Sequence, residues 1–276
     1  MTGVRGVLPG AGADGPAARL AARGDAAATA APVIVLTYPH AGVELLTEIL
    51  SASRSLACTS ATGLLPLCHE AITTWQQAEG RSGPPSSLAL TSVRGLATSM
   101  ITIILARAGA SRWCETAFAG SESARTFLQV FPATRYLCLH RALQGVSGEA
   151  ARAYPWGLGE SPFWAFSGGN PGNNAATIAT YWMARTEILL DFEAGHPASC
   201  LRLRYEDLLA DRVARGGEVF AALGLDVPEL AVLRERAAAA MSADSSPPVP
   251  ADRIPPPLLA RVHDAQARLG YDPWPE

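Results

Sequence analysis

The sequence predicts an α/β fold around a central parallel sheet, and three observations predict it. Val33 to Thr37 and Thr134 to Leu139 ("TRYLCL") are short continuous apolar runs, as in strands buried on both faces. Cys200 to Arg204 is a third strand-like run. Amphipathic helical patterns stand between these runs, and that alternation argues for parallel strands joined by right-handed crossovers.

Residues 1–31 are Ala, Gly and Arg with few large apolar groups and read as a disordered tail. They lack the continuous apolar core of a signal peptide. Gly10 to Gly15 matches GxGxxG, but no strand precedes it and no clear helix follows, so it carries no dinucleotide signal. Residues 32–276 are then expected to form a single domain. After the first strand a helix spans about Gly42 to Ala52, with Leu45, Leu46, Ile49 and Leu50 on one face. A second runs from Thr62 to Glu79, and Gly80 to Pro85 breaks the chain. A long helix follows to about Ala108, capped by Ser86 or Ser87.

Arg112 to Glu115 is a short strand or an extended loop. Ser121 to Phe131 reads as helix, ended before Pro132. Another helix starts near Leu143. Tyr154 to Asn174, "YPWGLGESPFWAFSGGNPGNN", is a loop of the length that lids and binding segments have. A helix from Ala175 to Glu193 precedes the last strand, and "YEDLLAD" leads into a helix ending at Leu223 to Leu225. From about residue 228 the chain is a helical extension with a Pro-rich break at Ser246 to Pro257.

Composition narrows the function. The net charge of −3 gives no case for nucleic-acid binding. No stretch approaches 18 consecutive apolar residues, and the longest candidate, Met100 to Ala106, is far too short to span a membrane. The five cysteines are scattered with no CxxC pair, which fits reduced thiols in a cytoplasmic protein better than zinc or disulfides. All 22 basic residues are Arg, so a fixed positive charge in a site must come from Arg, a protonated His or a helix N-terminus.

Ligands of open parallel sheets bind at the carboxyl ends of strands, so the loops after Thr37, Leu139 and Arg204 are the places to look. The first, "LTYPHAGVELL", has the strand, tight turn and helix start of an anion cradle. No GxxxxGK[ST] loop exists, which argues against a nucleotide kinase or ATPase.

Four segments in order resemble the PAPS-dependent sulfotransferases, in particular their bacterial and tyrosylprotein-like branch. They are "LTYPHAGVELL", "FPATRYLCLHR", "LRLRYEDLLAD" and "ALGLDVPE", and together they span residues 33 to 228. The resemblance implies a three-layer α/β/α sulfotransferase fold of the P-loop NTPase-like kind. It also implies transfer of a sulfuryl group from 3′-phosphoadenosine 5′-phosphosulfate (PAPS) to a hydroxyl or amine of a small-molecule acceptor, with PAP as the product and no metal. In the first segment His40, Ala41, Gly42, Val43 and Glu44 occupy the phosphosulfate loop, and in the second Arg141 occupies the position that contacts the 3′-phosphate.

The chain departs from that pattern at several positions. His40 stands where the family has Lys or Arg, and Val43 and Glu44 replace its hydroxyl pair. Glu44 either acts as a general base or turns outward on the first helical turn, where acids are favoured. The family's Ser eight residues after the Arg is Glu149, with Ser147 two residues early as a substitute phosphate ligand. The segment Cys58 to Pro66 resembles the one that carries the family's base, but Ser60 holds the base position. Proton-acceptor candidates are therefore Glu115 in "RWCETAF", His69 and Glu44, with His40 in the loop. Glu206 and Asp207 are expected to cap a helix or pair with Arg202 or Arg204. Two functions remain in view: an active sulfotransferase, and a degenerate one that binds or stabilises an active paralogue in a homo- or hetero-oligomer.

Overall fold

In the computed structural model the described residues are 31–117, 121–229, 231–232, 235 and 249–272. The expected tail, Ala31 apart, and its GxGxxG stretch lie outside them, as does part of the expected C-terminal extension.

Five parallel strands form one sheet: β1 (Val33–Leu36), β2 (Leu56–Ser60), β3 (Arg112–Ala117), β4 (Arg135–His140) and β5 (Cys200–Arg204), in the order β2-β3-β1-β4-β5. The helices are α1 (Val43–Leu50), α2 (Leu64–Ala78), α3 (Ser87–Ala108), α4 (Ser121–Val130), α5 (Leu143–Ala153), α6 (Asn174–Gly195), α7 (Tyr205–Ala210), α8 (Arg212–Ala222) and α9 (Pro256–Leu269).

β1 is central, with Val33 opposite Cys114 of β3 on one side and Arg135 of β4 on the other. Its four residues are all buried because both faces are covered. Side chains alternate across the sheet. Ile34, Leu36, Tyr136 and Cys138 join one core layer with residues of α2 to α6 and α9. Val33, Val35, Leu137 and Leu139 join the other with residues of α1, α7 and α8. The three layers of the expected fold are therefore present. The chain leaves β1 toward β2 in one direction, then returns past it to reach β4. The loops after β1 and β4 consequently meet at the switch point of the sheet, where such folds open a crevice.

The structure extends the expected elements in three places. β2 lies between the first two helices, in a stretch for which no element was expected. "LACTS" is short and half polar, and an edge strand whose exposure rises toward Ser60 needs no apolar run. Arg112–Ala117 is a full strand, paired on both sides and buried along its length. "YEDLLAD" forms its own short helix: Asp211 Oδ1 accepts from Ala214 N–H at 2.9 Å and starts α8 separately.

Ser86 caps α3, its hydroxyl accepting from Ala89 N–H at 3.1 Å. Among the described residues α3 is the one helix long and apolar enough to cross a membrane, because Ser and Thr break its apolar runs without lowering its overall hydropathy much. One stripe of it, Ala89, Val93, Ala97, Ile101 and Leu105, packs into the core beside the sheet.

Candidate functional site at the carboxyl end of the sheet

Beyond Leu36 the chain turns sharply. Ala41 N–H donates to Tyr38 O at 3.1 Å, and both His40 (φ 68) and Gly42 (φ 80) are left-handed. A non-glycine residue there costs about 1–3 kcal/mol and persists only when its surroundings hold it. Arg141 Nη1 donates to the His40 carbonyl at 2.9 Å. The imidazole stacks on Phe163 with ring centroids 5.4 Å apart and meets the edge of Tyr154 at 5.7 Å. Gly42 is required by a different neighbour: a β-carbon at this position would fall on the Tyr205 ring. α1 then begins without a side-chain cap; Leu45 N–H turns back to Gly42 O at 3.3 Å, and the turn lies at the positive end of the helix dipole.

Arg141 lies across this turn, its side chain only 3% exposed. Its backbone is fixed from two sides. The Tyr38 hydroxyl donates to Arg141 O at 3.1 Å and accepts from Arg141 N–H at 3.2 Å, and Trp182 Nε1 donates to Arg141 O at 2.8 Å. Burial pushes the Tyr38 hydroxyl up to about 12, so it stays a neutral donor. The guanidinium sits 4.3 Å over the Tyr205 ring and runs past Gly145, where a side chain would collide with it.

Glu149 joins the two halves. One carboxylate oxygen pairs with Arg141 Nη1, and the other lies 3.2 Å from His40 Nδ1. Burial alone would raise its pKa. The hydrogen bonds from His40 and Arg141, together with their charge, hold it below the usual carboxylate range instead. The carboxylate as acceptor selects the His40 tautomer with its proton on Nδ1, which keeps Nε2 as the basic nitrogen.

The structure therefore brings His40, Ala41, Gly42 and Arg141 together, with Val43 opening the helix beside them. The other expected residues sit apart. Glu44 is exposed on the first turn of α1. Glu115 is buried and accepts from Thr62 N–H at 2.7 Å and Thr62 Oγ1 at 2.9 Å, and also from Thr59 Oγ1, so it ties down the turn after β2. His69 pairs with Thr126 of α4 at 3.0 Å. Ser147 is fully buried; it donates to Gln144 O and accepts from Val249 N–H at 3.3 Å. His140 is buried against Glu193, 2.7 Å away. Asp207 pairs with Arg204 at 3.7 Å as expected, whereas Glu206 neither caps its own helix nor pairs with an Arg of its strand: it accepts from the distant Ala142 N–H at 2.9 Å, just ahead of α5.

Sequence reasoning treated Glu149 as a missing serine and did not single out Tyr38 or Tyr205. The signal for Glu149 was its position: an acid where the family pattern places a phosphate ligand, eight residues after the only Arg of that segment's end. In the long loop, Phe163 is buried against His40 while Trp156 and Trp164 are exposed. A cavity of about 120 Å³ opens between the β1 loop and α6, lined by Thr37, Tyr38, Pro39, Tyr181 and Arg185. No cluster of three or more metal-ligating side chains occurs among the described residues.

A parallel sheet with a strand–turn–helix cradle on its central strand, and a buried arginine across the turn, defines an α/β protein of the P-loop NTPase-like kind. The sequence model of the Sulfotransferase family matches residues 32–229, nearly the stretch spanned by the four segments, and the chain belongs to that family. Among solved structures, the sulfotransferase domain from the curacin biosynthetic pathway is 14% identical, with 88% of this chain and 98% of that one covered at a TM-score of 0.59. The sulfotransferase domain from the Synechococcus PCC 7002 olefin synthase is 16% identical, covering 88% and 95% at 0.54. A sulfotransferase from Mycobacterium avium is 12% identical, covering 86% and 75% at 0.52. At these identities the likeness concerns the fold. Among curated proteins, none matches the sequence.

Proposed function

We propose that the chain transfers a sulfuryl group from an adenosine phosphosulfate donor, PAPS in the family's usual form, to a hydroxyl or amine of a small-molecule acceptor. One observation carries this: the uncapped N-terminus of α1 and the buried Arg141 converge on the same turn at the switch point of the sheet. The α1 amides and the turn hold the 5′-phosphosulfate, and Arg141 faces the ribose end. The acceptor oxygen or nitrogen attacks sulfur, the bridging sulfur–oxygen bond breaks, and the nucleotide leaves with its phosphate. His40 Nε2, oriented by Glu149 through Nδ1, takes the acceptor proton. Glu115 and His69 serve structure in this reading, since their polar atoms are engaged within the fold. The cavity beside Tyr181 and Arg185 is the acceptor's place, lying one loop from His40. A small-molecule acceptor agrees with the family, and one solved neighbour is itself a domain from a biosynthetic pathway.

A second reading has a specific observation in its favour. Glu149 already occupies Arg141, as a chain that had lost its donor and serves an active paralogue as a partner subunit would tolerate. Incubation with sulfur-35-labelled PAPS and a panel of phenols and amines separates the two. Labelled product that disappears in His40→Ala supports the enzyme. Folded protein that neither transfers label nor binds PAP in calorimetry supports the partner subunit.

A further inference from the structure

We infer that Glu149 makes this site select a nucleotide whose ribose carries a free 3′-hydroxyl over one that carries a 3′-phosphate. The inference rests on the reading above that Arg141 faces the ribose end of a bound nucleotide. Arg141 is the cation available there, and its Nη1 is shared between the His40 carbonyl and the Glu149 carboxylate. The guanidinium cannot swing away easily. Its side chain is 3% exposed, wedged over Tyr205 on one side and against the Gly145 backbone on the other. Glu149 is 26% exposed, so it presents a carboxylate edge to whatever enters.

A phosphate arriving at this point meets an ionised carboxylate before it meets a free cation. To bind, it must displace Glu149 from both Arg141 and His40 and leave two like charges side by side. A ribose hydroxyl meets the same carboxylate as a donor meets an acceptor, and nothing has to move. Dinucleotide-binding folds make the same division: an acid takes the ribose hydroxyl, and an arginine accommodates the phosphate. Here the arginine is present but its charge is answered from within the chain, so the acid sets the preference.

Calorimetric titration of the full chain with PAP and with adenosine 5′-monophosphate tests this, in the wild type, Glu149→Ser and Glu149→Gln, with melting curves to confirm folding. The wild type is expected to bind the monophosphate more tightly than PAP. Each variant is expected to shift the ratio at least about tenfold toward PAP, a change of roughly 1.4 kcal/mol. A wild type that binds PAP as tightly as the monophosphate or more tightly, or variants that leave the ratio unmoved, overturns the inference and leaves the proposed function standing. Folded proteins that bind neither nucleotide overturn both.

Discussion

Tyr205 lays its ring directly on the backbone of Gly42: a β-carbon built at position 42 would sit 2.2 Å from Tyr205 Cδ2 and Cε2. The residue that opens α7 therefore seals the turn that opens α1. Gly42→Ala adds this collision to the strain of a left-handed alanine, and a loss of about 2–4 kcal/mol is expected in urea unfolding. Tyr205→Ala in the same chain should recover the collision and not the strain. Additive losses would show that the two residues do not touch.

Gly145 lies in the first turn of α5, where alanine is ordinarily the better helix former by up to about 1 kcal/mol. A β-carbon there would stand 2.6 Å from Arg141 Nε, in the middle of a pinned side chain. Gly145→Ala should therefore cost about 1 kcal/mol or more instead, as overpacking does. A stabilised variant would mean that the guanidinium is free to move.

Glu115→Ala removes the acceptor for Thr59 Oγ1, Thr62 Oγ1 and Thr62 N–H. About 1–2 kcal/mol should be lost from the turn between β2 and α2, since the half-buried Thr62 N–H and hydroxyl lose their acceptor while Thr59 Oγ1 keeps Cys114 O. Glu115→Gln should restore part of the stability. Reduced turnover with an unchanged melting temperature would instead make Glu115 the proton acceptor.

Glu193 binds His140 at 2.7 Å and Arg202 Nη2 at 2.6 Å. Burial works to raise its pKa, but hydrogen bonds and charge from His140 and Arg202 outweigh this and leave it below the ordinary carboxylate value of 4.5. A depressed carboxylate contributes stability that is fully present above that ordinary value and is lost as pH falls through the folded one. Denaturant midpoints of the wild type should therefore fall below pH 4.5, and those of Glu193→Gln should fall less steeply from a lower start. Parallel acid slopes would count against this pairing.

β1 and β4 were legible because "VIVL" and "YLCL" are buried on both faces and leave an unbroken apolar record. β2 left none, since an edge strand of five residues needs only Leu56 and Ala57 inside. The cradle was legible for the same reason that it is local: strand, turn and helix start are adjacent in the chain. Its chemistry was not. Glu149 reaches His40 across 109 positions, and it meets Arg141 although that residue precedes α5, so no helical spacing announces the pair. Glu115 looked available because its partners on the neighbouring strand and turn could not be seen from residues 112–118. Tyr205 was read only as part of a motif, and its packing against Gly42 spans two loops that the sheet alone brings together.

The contact between Ser147 and Val249 ties the cradle to the far end of the chain. The helix bearing Glu149 is buttressed by residues far downstream, through Val249 N–H to Ser147 and through Gln266 to Gln144 at 2.7 Å, 102 and 122 positions away. Such distant closures are paid for late in folding. During synthesis from the N-terminus, the turn at His40 and the arginine beside it leave the ribosome well before the segment that braces α5. A ribosome-bound chain halted before residue 249 would carry the whole cradle with its acidic neighbour unbraced.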